Sequence, residues 1–248
     1  MSKLQGKVAL VTGASKGIGA AIAKALAAEG AAIVVAYSSS QSGAQAVVSD
    51  IEKSGGRAVV AGGDVTKAND AASLVQTAID KFGRLDILVN NSGVYAFAPL
   101  EEITAEEFHR QFGTNVLGTL LVTQAAAKHL GEGASVINIG SAITSLTPAA
   151  TAVYTGTKSA IDGITSVLAK ELAPKGIRVN AIRPGYTETE GTHSSGITGS
   201  DMEKGMVSMT PLGRAGQPDD IARVAVFLAS DDAGWITGDH LNVAGGLQ

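Results

Sequence analysis

No cysteine occurs in this sequence, which removes any disulfide framework, redox dithiol or thiolate metal site. Nor is there charge of one sign: 23 acidic and 19 basic residues are interspersed and leave a net −4. That balance argues against a nucleic-acid groove and against an anionic-membrane surface, so neither partner is expected. No uninterrupted apolar run reaches the length that spans a bilayer, and none lies in Met1 to Lys7 where a secretion signal would need one. A cytoplasmic protein is therefore expected. His109, His129 and His240 share no metal-ligand spacing, and no metal is expected. Internal repeats and low-complexity tracts are absent too, so the 248 residues read as one domain with one sizeable core.

What the chain does have is a regular alternation of short apolar runs with longer helical segments. The runs Val8 to Val11, Ala32 to Ala36, Ala58 to Ala61, Ile87 to Val89, Ser135 to Ile139, Arg178 to Ile182 and His240 to Val243 are expected as strands. Long helices are expected over residues 105–129 and 152–172, with Pro174 and Gly176 closing the second. Repeated strand–helix–strand units of this kind predict an α/β fold, a doubly wound seven-stranded parallel sheet with helices on both faces.

The first run passes directly into Thr12-Gly13-Ala14-Ser15-Lys16-Gly17-Ile18-Gly19 and then an alanine-rich helix through Glu29. Gly13 suits a tight turn, Gly17 a close backbone approach to a pyrophosphate, and Gly19 close packing of helix on strand. A turn serving packing alone is the plainer reading. After the second run come Tyr37, Ser38, Ser39 and Ser40, and no carboxylate appears between Glu29 and Asp50. An acidic residue near that point would accept from the ribose hydroxyls of NAD(H). Hydroxyls with Lys16 nearby suit a 2′-phosphate instead, so NADP(H) is favoured over NAD(H); the alternative is a simple polar loop.

Tyr154 and Lys158 are four residues apart in Tyr-Thr-Gly-Thr-Lys, with Ser141 upstream. On a helix that spacing puts both side chains on one face. An ammonium beside the phenol would pull its pKa down toward working pH, and Ser141 would hold a substrate oxygen. The pair alone also fits an ordinary helix surface.

Taken together, Thr12-Gly13-x-x-x-Gly17-Ile18-Gly19, Asn90-Asn91-Ser92-Gly93, Asn115, Ser141, Tyr154-x-x-x-Lys158 and Pro184-Gly185 resemble the short-chain dehydrogenase/reductase family along essentially the whole chain. Serine at 92 departs from the family's usual alanine. The resemblance implies a Rossmann fold and a catalytic tetrad of Asn115, Ser141, Tyr154 and Lys158. In it Tyr154 is the general acid in reduction, Ser141 polarises the carbonyl, Lys158 lowers the tyrosine pKa and holds the nicotinamide ribose, and Asn115 positions a water of a proton relay. Asn91, Ser92 and Gly93 would lie along the cofactor, as would Ser15 and Ile18. Asp64 and Val65 would meet the adenine, with a turn role as the alternative for Asp64. Pro184, Gly185, Thr187 and Thr189 would hold the carboxamide.

The same resemblance places a substrate lid at 188–209, where Gly191, Gly196, Gly199 and Gly205 suit a segment that orders on binding. Pocket candidates are Tyr95, Phe97, Ile143, Leu146, Tyr186, His193 and Met206, with His193 as a lid-surface group rather than a base; each has filling a core as its alternative. The implied activity is NADP(H)-dependent reduction of small ketones or aldehydes to alcohols. A 3-oxoacyl-carrier-protein reductase, a sugar or polyol dehydrogenase and, more remotely, an inactive cofactor-binding regulator stay open. A homotetramer is implied, with alanines 125–127 permitting either close helix approach or burial against the sheet. Changing Ser38→Asp is expected to move cofactor preference toward NAD(H), measured as the ratio of kcat/KM for the two cofactors; an unmoved ratio would refute the placement of the 2′-phosphate.

Overall fold

The computed structural model describes residues 2–247. Seven strands, β1 (Val8–Val11), β2 (Ala32–Tyr37), β3 (Arg57–Gly62), β4 (Ile87–Asn90), β5 (Ser135–Ile139), β6 (Arg178–Pro184) and β7 (His240–Val243), form one sheet. Their order is β3-β2-β1-β4-β5-β6-β7 and every pairing is parallel. Parallel neighbours require crossovers, which here carry α1 (Gly17–Ala28), α2 (Gln41–Lys53), α3 (Ala68–Phe82), α4 (Ala105–Phe112), α5 (Gly118–Ala126), α6 (Ile143–Leu146) and α7 (Ala152–Leu172). Two short helices, α8 (Glu190–Ser194) and α9 (Asp201–Ser208), and then α10 (Pro218–Ala229) lie between β6 and β7. This is a single-domain Rossmann fold.

The strands are apolar end to end because both faces of the sheet are covered. Alternation then divides them. Ala9, Val11, Ile33 and Val35 point into a core shared with Ile22 and Leu26 of α1, Val47 of α2, and Ile221 and Leu228 of α10. Val8, Leu10, Ala32 and Val34 point to the opposite core with Leu74 and Val75 of α3, Val122 of α5 and Leu172 of α7. Ala126 is fully buried in that second core, with Ala125 and Ala127 packed against it, so these alanines serve burial inside the subunit.

One expected helix is not regular. The segment expected as a single helix over 105–129 contains a wide π turn, Gly113–Leu117, between α4 and α5, and helical structure ends at Ala126. At Gly118 a Cβ would lie 2.6 Å from Val65 Cγ2, so only glycine lets the helix pass there. The turn carries Asn115, whose side chain is buried.

Strand order reverses between β1 and β4, and the loops leaving these two strands are tied to each other. The Thr12 hydroxyl accepts from the backbone N–H groups of Asn91 and Ser92, both at 3.0 Å. The Asn91 amide donates back to the carbonyls of Thr12 and Gly13 at 2.9 and 3.0 Å. A Cβ on Gly19 would lie 2.4 Å from that amide nitrogen and 2.6 Å from Gly13 O, backbone that cannot yield. Gly19→Ala is therefore expected to lower the unfolding free energy by about 1–3 kcal/mol, the usual cost of overpacking. Urea denaturation followed by circular dichroism measures this, and an unchanged midpoint would contradict it.

Candidate active site

The residues expected to meet a cofactor follow strands at the carboxyl edge of the sheet, the edge at which open α/β sheets bind ligands. After β1 come Gly13, Ser15, Lys16, Gly17, Ile18 and Gly19; after β2, Tyr37, Ser38 and Ser39; after β3, Asp64 and Val65; after β4, Asn91, Ser92 and Gly93; after β6, Pro184, Gly185, Thr187 and Thr189. Gly13 and Gly17 both adopt left-handed backbone, φ +60° and +57°. A Cβ on Gly13 would stand 3.0 Å from Ser92 Cα, so the first turn closes directly on the loop after β4. Lys16, preceding α1, makes no side-chain cap, and the first turn of α1 has no acidic residue. This cradle suits a pyrophosphate. Ser38, Ser39 and Lys16 are exposed at the groove's rim.

Two expected contacts have structural duties. The Asp64 Oδ1 accepts from the Thr66 N–H and hydroxyl at 3.0 and 2.8 Å, closing the turn that its alternative reading foresaw, and these bonds hold its carboxyl below the ordinary range. The Tyr37 hydroxyl sits against Gly62, where a Cβ would come within 3.0 Å of it. Val65 is buried.

Ser141, Tyr154 and Lys158 converge at the inner end of a cavity of about 860 Å3. The Lys158 ammonium donates to the Ile139 carbonyl at the end of β5, 2.8 Å away, and is buried. It lies 5.8 Å from the centroid of the Tyr154 ring. Burial pushes the Tyr154 phenol up to about 12, offset in part by the Ser141 hydroxyl. Burial likewise pushes Lys158 down to about 8, against the pull of Asp162. The expected lowering of the phenol's pKa is not what the site shows: desolvation is the largest influence on both groups, and the ammonium is drawn to a backbone carbonyl.

Asn115 has a structural duty as well. Its side chain is committed to protein: Oδ1 accepts the Val94 N–H at 2.8 Å, while Nδ2 donates to the Val94 carbonyl at 2.8 Å and to Thr157 Oγ1 at 3.0 Å. It clamps the loop after β4 to α7. Thr157, which donates in turn to the Tyr154 carbonyl at 2.7 Å, was missed from the sequence. Its only signal is a hydroxyl in the interior of a helix, one position before Lys158.

The cavity wall contains six of the seven pocket candidates: Tyr95, Phe97, Ile143, Leu146, Tyr186 and Met206. His193 is the exception. It is exposed and pairs with Glu188 at 3.0 Å, because α8 turns that face outward. Tyr95 and Phe97 stack at 5.7 Å and both meet the Tyr154 ring edge-on, at 6.1 and 5.9 Å. The sequence reading missed Ile197, Met202 and Met209 of the wall, which extend it along the 188–209 segment. Thr147 and Ala150 hold positive φ, +43° and +65°, and the Ala150 carbonyl accepts from the Ala98 N–H at 2.8 Å, joining two sides of the rim. Among the described residues no three metal-ligating side chains gather, and no helix is long and apolar enough to cross a membrane.

Residues 13–248 match the family described as enoyl-(acyl carrier protein) reductase. Over their full lengths, this chain and an uncharacterised oxidoreductase of Methylorubrum extorquens are 62% identical. A hydroxynaphthalene reductase-like protein of Metarhizium anisopliae is 39% identical over 98% of this chain and 95% of its own. A solved short-chain dehydrogenase of Burkholderia cenocepacia in complex with NADP superposes with a TM-score of 0.91, at 38% identity and 99% coverage of both chains. The fold and these likenesses define an oxidoreductase. The chain belongs to the short-chain dehydrogenase/reductase family.

The shifted lysine has a measurable consequence. Its folded value of about 8 lies below the ordinary 10.5, so between these pH values the unfolded chain binds more protons here and stability rises with pH. Tyr154 acts in the opposite sense, but only above its ordinary 10.0. From about pH 7.5 to about pH 9.5 the wild type is expected to gain stability relative to Lys158→Met in urea titrations. A constant or shrinking difference would contradict the depressed pKa.

Proposed function

We propose that this protein is an NADP(H)-dependent carbonyl reductase acting on uncharged, bulky aromatic ketones. The observation that carries the reading is the cavity: its wall is mostly apolar, Lys158 is the one charged side chain in it, and Ser141 and Tyr154 both line it. An apolar ketone enters such a site without leaving buried charges unpaired, and its oxygen finds the two hydroxyls. Fused-ring substrates suit the stacked Tyr95 and Phe97 and the adaptable thioethers of Met202, Met206 and Met209. The hydroxynaphthalene reductase-like relative points the same way.

Gly13, Gly17 and the start of α1 would hold the pyrophosphate, and Ser38, Ser39 and Lys16 the 2′-phosphate. Pro184, Gly185, Thr187 and Thr189 would flank the nicotinamide. That cofactor, when bound, supplies the hydride. The Ser141 hydroxyl donates to the substrate oxygen. Tyr154, whose raised pKa keeps it protonated, gives its proton to that oxygen as negative charge builds there. Lys158, carrying charge below about pH 8, stabilises the phenolate left by that transfer through the field it exerts at the ring. Asn115 and Thr157 fix the helix that bears both groups.

The acyl-carrier-protein alternative needs a basic docking surface. Of its candidates, Arg110 is held by Glu107 at 2.7 Å and Arg214 by Asp220 at 2.6 Å, leaving Lys128. A polyol is the poorer match to a wall made mostly of apolar side chains, and a regulator without activity has no use for the assembled tetrad. A cytoplasmic homotetramer belongs to the proposal as well. Trp235, fully exposed, and Val167 on α7, half exposed, are apolar surface that further copies would cover.

The test is oxidation of NADPH and NADH with a bicyclic aromatic ketone, a β-keto ester, an acetoacetyl thioester and, in reverse, an aldose. The aromatic ketone with NADPH is expected to turn over fastest. Tyr154→Phe is expected to bind NADPH normally and lose turnover by about 100-fold or more. Preference for the thioester, or full activity in the variant, would overturn the proposal.

A further inference from the structure

The start of α1 finds its counter-charge in a distant part of the chain. Gly17 N–H donates to Glu190 Oε2 at 2.9 Å, across 173 positions of sequence. A helix N-terminus carries a partial positive charge, and α1 supplies neither a side-chain cap nor a first-turn acid of its own. The contact is built, since a Cβ on Gly17 would lie 3.5 Å from the Thr189 side chain and 3.7 Å from the Glu190 carboxylate. Thr189 also caps α8: its N–H donates to Thr192 Oγ1 at 2.9 Å and its hydroxyl accepts the Thr192 N–H at 3.3 Å. Beyond α8, Ser195 Oγ accepts from the Tyr95 hydroxyl at 3.3 Å, and Thr192 and Ile197 line the cavity.

We propose that Glu190 is an internal competitor for the dinucleotide phosphates, setting cofactor affinity and linking cofactor arrival to movement of the cavity wall. The inference rests on the NADP(H) reading above. Gly17 N–H cannot serve a carboxylate and a phosphate at once, and like charges at that separation repel. Glu190 must therefore leave when a pyrophosphate occupies the cradle. Because Glu190 is the first residue of α8 and Thr189 its cap, its departure moves the element that holds Thr192 in the wall and Ser195 against Tyr95. Glu188, two residues earlier, does not share this role: its oxygens are taken by His193 at 3.0 Å and Gln217 at 3.1 Å.

The experiment compares wild type, Glu190→Gln, Glu190→Ala and Glu188→Gln for binding of NADPH, followed by its fluorescence, and of 2′-AMP, followed by calorimetry. The nucleotide 2′-AMP lacks the pyrophosphate and does not reach Gly17. Both Glu190 variants are expected to bind NADPH tighter by about threefold to tenfold, a modest gain because the contact is open to solvent. Glu188→Gln, and 2′-AMP with every variant, are expected to match wild type. Unchanged or weaker NADPH binding by the Glu190 variants would overturn the inference, as would an equal gain in Glu188→Gln or with 2′-AMP. NADPH bound equally by all four proteins would leave the NADP(H) reading standing; no NADPH binding by wild type would overturn both.

Discussion

Seven strands running in one direction place all their carboxyl ends on one edge, and the reversal of order between β1 and β4 parts the loops there into a groove. Everything chemical in this protein follows from keeping that groove in register. Thr12 and Asn91 do so with four hydrogen bonds between the two loops, and Gly19 leaves room for the Asn91 amide that makes two of them. These polar groups satisfy backbone that the chain reversal would otherwise strand near the core.

Burial sets the electrostatics of the site. A phenol and an ammonium held near each other in water would each favour the charged form of the other. Here desolvation moves both toward neutrality, Tyr154 up and Lys158 down. The result is a phenol held protonated beside a lysine that loses its charge near pH 8. The π turn at Gly113–Leu117 serves the same end, for it lets Asn115 bridge Val94 and Thr157 and so ties the loop after β4 to the catalytic helix.

Away from the tetrad the cavity is a wall of aromatic rings facing thioethers. Three of the chain's four methionines lie in residues 202–209, and all three line the wall. Flexible sulfur side chains on short helices give a surface that adapts to substrate shape, while the stacked Tyr95 and Phe97 give one that does not. The segment bearing the methionines begins at Glu190, so charge at the cofactor cradle and shape at the substrate wall meet in one short stretch of chain.

Local features were legible in the sequence because they depend on neighbours in the chain. Apolar runs of strand length marked the seven strands to within a residue or two at their ends, and the glycine spacing after β1 marked the turn. Tyr154 and Lys158 sit one helical turn apart, which places both at the same cavity. Features decided by distant partners were not legible. The interruption of the 105–129 helix carries Asn115, whose partners are Val94 and Thr157. Outward-facing His193 and the Asp64 turn, by contrast, were among the sequence readings, since their partners Glu188 and Thr66 lie only a few residues away. The bond from Gly17 to Glu190 joins residues that no periodicity relates. The sequence by itself determined the order of elements and the glycine turn after β1, since periodicity and motif spacing act over a few residues. Only the tertiary structure decided the pKa values, the wall of the cavity and the partner of Gly17, because desolvation and hydrogen bonding depend on which remote atoms the fold brings within a few ångströms.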